Sequence, residues 1–120
     1  MYRDHTKLNI SELTGRPTSH NSGTKKVITT NPSGPVMIKQ IAVGILQPGE
    51  TIEEHRHPDL DEHYFVLSGS GSMQVEERIY ELKKGDFILV TAGSLHRIYD
   101  ITQTLEFYYQ GFELVSEKPF

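Results

Sequence analysis

The sequence predicts an all-β fold, an antiparallel barrel or jelly roll, on three observations. About nine short runs of strand character recur roughly every 8 to 12 residues, separated by Gly, Pro, Asn and Asp. No apolar pattern of helical period extends over a useful length, so no amphipathic helix is expected. In the run VMIKQIAVGIL, Ile41, Val43 and Ile45 alternate with Gln40, Ala42 and Gly44, a bulky face opposite a small or polar one. Such a strand suits a barrel whose small side leaves room for a ligand.

In chain order, residues 1–23 read as a polar arm, packing on the barrel or exchanging with a partner, in which only Leu8, Ile10 and Leu13 have core character. SELTG predicts a short helical turn with Ser11 as its cap, and PTSHNSG, with breakers Pro17 and Gly23, a surface loop. The barrel domain is expected over 24–115. It begins with the β-rich KKVITT, turns at NPSGP and enters the long strand from Val36. QPGE is a turn, and Ser68-Gly69-Ser70-Gly71 predicts a tight connection into a polar strand at 72–76. Glu77-Arg78 turns into a strand at 79–82, and Lys83-Lys84-Gly85-Asp86 turns again. Strands at 88–91, 96–99 and 104–114 complete the set, the last with Leu105, Phe107 and Tyr109 on one face.

A chain of 120 residues makes one domain. The net charge is −4 with no run of Lys or Arg, so neither nucleic acid nor an anionic membrane is an expected partner. Cysteine is absent, which excludes disulfides, thiolate nucleophiles and sulfur-ligated zinc. MYRDHTKLNI has no continuous apolar stretch, and nothing approaches the roughly 20 apolar residues of a spanning helix; a cytoplasmic location is expected.

The chemistry concentrates in GETIEEHRHPDLDEHYFVLSG. Two histidines at i and i+2, His55 and His57, project from one face of an extended strand with Cα atoms about 6.6 Å apart. Imidazoles so placed can share one cation at about 2.1 Å. PDLD reads as a short turn, after which Glu62 can return on a neighbouring strand to supply an oxygen ligand. A fourth ligand must come from elsewhere, and His96 stands at the start of a strand in GDFILVTAGSLHRIYD.

At these two stretches the chain resembles the cupins. Gly49, His55, His57, Glu62 and Gly69 fill every place of that family's first motif, and Gly85, Gly93 and His96 fill three places of its second. Thr91 stands where the family usually has Pro, and Asp100 where it has Asn. The resemblance implies a double-stranded β-helix and a homodimer. It also implies one divalent metal (Fe, Mn, Ni, Co or Zn) held by His55, His57, Glu62 and His96. Three imidazoles and one carboxylate leave two positions of an octahedral ion open for water, substrate or dioxygen.

The expected function is metal-dependent chemistry on a small oxygen-rich or enolisable molecule. A dioxygenase comes first, a sugar or keto-acid isomerase or epimerase second, and a non-catalytic sugar or metabolite receptor third. Tyr64 and Asp100 are the acid-base candidates, and Gln40, Phe107 and Tyr109 the pocket candidates. Glu53, Glu54, Asp59 and Asp61 read as a solvated acidic rim, His63 as pointing to the opposite face from Glu62, and His5 and His20 as solvated loop residues.

Overall fold

The computed structural model describes residues 6–17, 24–26 and 36–114. Nine antiparallel strands lie among them: β1 (Thr6–Asn9), β2 (Arg16–Pro17), β3 (Thr24–Lys25), β4 (Val36–Leu46), β5 (Ile52–His55), β6 (Leu60–Val75), β7 (Arg78–Leu82), β8 (Asp86–Val90) and β9 (His96–Leu114). The main sheet runs β1-β8-β6-β9-β4, with β5 added to β9 and β7 to β6, while β2 and β3 pair separately. The expected all-β class holds. His5, His20 and most of KKVITT lie outside the described residues.

The strands are fewer breaks and longer runs than the sequence suggests. β6 and β9 have 16 and 19 residues, and they pair along their whole lengths with register shifts between Val66 and Ser72. The expected connection at 68–71 is therefore a bend within β6. Gly69 makes it, at φ 88, with the backbone of Thr104 and Leu105 on β9 packed where a side chain would stand. This bend folds the β6/β9 ribbon over a core of Val66, Met73, Val75, Ile88, Ile98, Leu105 and Phe107.

The helical turn is a 3-10 turn at Ile10–Glu12, and its cap is Asn9 rather than Ser11. The Asn9 amide oxygen accepts the Ser11 N–H at 2.9 Å, and its nitrogen donates to Asp86 Oδ1 at 2.9 Å. Asn9 thus caps the turn and ties β1 to β8, a tertiary contact that local propensity does not carry. Asp86 is fully buried and also accepts the Lys83 N–H at 3.0 Å and faces Lys7 Nζ at 3.3 Å.

β4 behaves as its alternation implies. Ile41, Val43 and Ile45 are 55–56% exposed on the outer face, and Gly44 faces inward against the Phe107 ring. A register shift between Ile38 and Gln40 skips Lys39 in the backbone pairing, although its Nζ reaches Glu113 Oε2 on β9 at 3.3 Å, and sets Gln40 opposite Gly111. Among the described residues no helix is long and apolar enough to cross a membrane.

Gly69 and Gly49 supply an internal comparison. Both have positive φ, but a side chain at Gly49 meets nothing within 4 Å. Gly49→Ala should cost only the left-handed strain, about 1–2 kcal/mol. Gly69→Ala, which must also displace β9, should cost at least about 2 kcal/mol more. Urea unfolding measures both, and equal losses would contradict the assigned role of Gly69.

Candidate metal centre

Each of the four side chains is positioned by a different local device. His55 ends β5 and lies opposite His96, the first residue of β9. His57 follows β5, and its carbonyl accepts the Gly93 N–H at 2.8 Å, which locks the His-x-His segment to the 91–94 turn. Glu62 is the third residue of β6, level with Val90 on one side and Gly111 on the other. The turn before His96 is closed by Ser94 N–H to Thr91 O and by the Thr91 and Ser94 hydroxyls, each pair at 3.0 Å. Thr91 thus does by hydrogen bonding what a ring constraint does in the usual motif.

One nitrogen or oxygen from each of His55, His57, Glu62 and His96 falls within 4.8 Å of the others. His96 and Glu62 are buried at 2% and 6% exposure, and the other two are half-buried. The ring centroids of His55 lie 4.9 Å from His57 and 4.2 Å from His96. His55 Nδ1 stands 2.7 Å from Glu53 O, and His96 Nδ1 stands 2.9 Å from Ser94 O. A carbonyl oxygen only accepts, so both Nδ1 atoms carry protons and each ring is left with Nε2 to hold a proton or a cation. His96 Nε2 is 3.0 Å from Glu62 Oε1, and His57 Nε2 is 3.7 Å from the same oxygen.

That arrangement is the test of fit. A neutral imidazole lone pair and an ionised carboxylate oxygen repel at 3.0 Å unless a proton or a cation lies between them. Donors about 2.1 Å from a common cation stand about 3.0 Å apart at a right angle. The 3.0 Å spacing of His96 and Glu62, the nitrogen and oxygen donors and the fixed Nδ1 protons fit a divalent transition ion. Burial alone pushes the Glu62 carboxyl up, but the hydrogen bond and charge of His96, the Tyr64 hydroxyl and His57 together hold it below its usual range. Glu62 is thus a carboxylate at neutral pH. Tyr64 is pushed well above the usual phenol range, first by burial and then by the Glu62 charge, so it stays protonated.

A cleft of about 300 Å³ opens beside this cluster. Gln40, Phe107 and Tyr109 line it, as do Tyr64, His55, His57 and Glu62. Asp100 does not. It is exposed, four residues beyond His96, at φ 50 where β9 crosses the bend. Asp61 was expected on a solvated rim. It is buried instead, and its Oδ1 accepts the Ala92 N–H at 2.8 Å, steadying the turn that carries His96. His63 faces the opposite side, its ring 5.3 Å from Phe87 and 4.7 Å from Phe112. Burial holds it below the ordinary histidine range despite the Asp61 charge.

The family model for the cupin domain matches residues 42–108, more than half of the chain. This chain belongs to the cupin family. Over 53 residues the cupin is 36% identical to the tetracenomycin polyketide synthase protein TcmJ of Streptomyces glaucescens, covering 44% of this chain and 36% of that one. Over 52 residues it is 35% identical to a 5-nitrosalicylic acid 1,2-dioxygenase of a Bradyrhizobium species, covering 43% and 25%. The match thus spans about a quarter to a third of these relatives. A crystal structure named as a predicted oxalate decarboxylase from Thermotoga maritima superposes with a TM-score of 0.62 at 22% identity, covering 89% of this chain and 98% of that one. That likeness is one of fold.

If the cluster of this cupin binds a metal, Co(II) titration at pH 7.5 should give one strong site in the wild type and in His63→Ala. His96→Ala should bind about a hundredfold more weakly or worse. Affinity should also fall as the pH drops through about 6.5, because protonated imidazoles cannot coordinate. Occupancy that is unchanged at pH 5, or in His96→Ala, would contradict ligation by these histidines.

Proposed function

We propose that this cupin is a metal-dependent enzyme acting on a small oxygen-rich or enolisable molecule, with dioxygenase-type chemistry the first choice. One observation carries the proposal: the buried Glu62 carboxylate, 3.0 Å from His96 Nε2, lines an open cleft together with His55 and His57. The ligands are His55, His57, Glu62 and His96, and the ion is one of Fe, Mn, Ni, Co or Zn. When bound, the ion supplies a Lewis acid with open positions for substrate oxygen and, if redox-active, for dioxygen. The relative named as a nitrosalicylate dioxygenase supports this choice of chemistry.

The protein's own groups take the remaining roles. Tyr64, held protonated beside Glu62, donates its hydroxyl hydrogen bond to that carboxylate and so helps to keep it ionised. Gln40 lies on the rung of the sheet that also carries Gly111 and Glu62, and it lines the same cleft as Glu62. Asp61 and the Thr91–Ser94 hydroxyl pair hold the His96 turn in register.

The protein is further proposed to act as a homodimer. Met37, Ile38, Ile41, Val43 and Ile45, all on β4, are each more than half exposed, and β4 pairs only with β9 among the described residues. Antiparallel contact of β4 with β4 of a second copy would cover both patches and satisfy both free edges with one self-complementary surface. Sedimentation velocity should find a dimer that Val43→Lys dissociates; a monomeric wild type would contradict the pairing.

The reaction is tested with protein loaded anaerobically with Fe(II) and offered a panel of catechols, enediols and β-diketones in an oxygen electrode. Oxygen uptake matching substrate loss, abolished in Glu62→Gln, is the expected result. Substrate isomerised at the same rate without oxygen would replace the oxygenase reading with the isomerase one, and binding without turnover would leave a receptor.

A further inference from the structure

We infer that the cleft selects a planar aromatic ring bearing a phenolic or enolic oxygen, and that Tyr109 and Gly44 set this preference. The inference rests on the metal-dependent reading above and names the substrate class of the same site.

The register arranges the inner face in rungs. Ala42, Tyr109 and Tyr64 form one rung, and Gly44, Phe107 and Val66 the next. The edge strand β4 therefore contributes only small residues at these levels, while β9 contributes a ring at both and β6 a ring at the first. Tyr64 and Tyr109 are stacked at 5.8 Å with an interplanar angle of 23°, and Phe107 lies 5.7 Å from each. Tyr109 is the half-buried member of the three and gives the cleft an aromatic wall. Rings prefer offset or edge contact with such a wall, which a saturated sugar cannot make as well.

Charge points the same way. No Lys or Arg is among the described residues lining the cleft. A sugar phosphate or a small dicarboxylate needs a guanidinium or ammonium group to hold its anion; a neutral ring with one oxygen toward the metal donors does not. A volume of about 300 Å³ lies at the small end of ligand cavities, enough for one substituted ring.

Gly44 keeps this space open. A Cβ there would stand 2.6 Å from Phe107 Cε2, so any side chain at 44 must push the Phe107 ring from its place over β4, next to the cleft. Phe107 is 3% exposed and belongs to the core cluster.

The test uses Co(II)-loaded protein and two oxygen chelators, aromatic 4-nitrocatechol and aliphatic acetohydroxamate, with glucose 6-phosphate as a third probe. Tyr109→Ala should weaken 4-nitrocatechol about tenfold while changing acetohydroxamate less than twofold and leaving Co(II) affinity intact. Gly44→Ala should act in the same direction. Equal changes for both chelators, no change for either, or glucose 6-phosphate binding as tightly as 4-nitrocatechol would overturn the inference. Failure of the metal reading would show separately as no Co(II) uptake. The same loss on Tyr109→Ala would then be required of 4-nitrocatechol binding to the metal-free chain, and its absence would overturn the ring preference as well.

Discussion

The contact between His96 Nε2 and Glu62 Oε1 is the constraint on which the rest of the structure depends. At 3.0 Å, and with the His96 Nδ1 proton committed to Ser94 O, these atoms must share a second positive charge, a proton or a cation. Both side chains are buried, so water cannot screen the conflict well. The surrounding fold invests in keeping them there. Asp61, Thr91 and Ser94 fix the turn before His96, and the hydrogen bond from Gly93 to His57 brings the second imidazole to the same turn.

The β6/β9 ribbon delivers these parts to one place. Glu62 lies near one end of β6 and is level with Gly111 near the far end of β9, whereas His96 opens β9 and pairs with Val75 at the other end of β6. In a straight ribbon Glu62 and His96 would stand far apart, since thirteen residues of strand separate Glu62 from Val75 at about 3.3 Å each. The bend at Gly69 folds the two ends together, and the core packs inside the fold. Gly69, remote from the ligands in sequence, is therefore part of the site's construction.

Much of this was legible in the sequence, for definable reasons. The spacing of His55, His57 and Glu62 is a local signal, and the structure brings these three residues together with His96. Strict alternation on β4 and on the last strand put Gln40, Phe107 and Tyr109 toward the cleft and His63 away from it. What the sequence hid was tertiary. A Ser-Gly-Ser-Gly segment reads as a turn whether the chain reverses or merely bends, so the continuity of β6 was missed. Asn9 caps its turn because Asp86 also holds it, which no local rule reports. Asp61 looked like one more acid in an exposed loop until the Ala92 N–H above it was known. Asp100 follows His96 closely in sequence, but a left-handed residue in a bulged strand breaks the parity on which placement by counting relies.

The central claim is that one cation joins Glu62 to three imidazoles. X-ray absorption at the cobalt edge of the Co(II)-loaded protein tests it most directly. The account predicts a first shell with three imidazole nitrogens, recognisable by their outer-ring scattering, one carboxylate oxygen, and the remainder exchangeable water. A shell of oxygens with fewer than three imidazoles would contradict it.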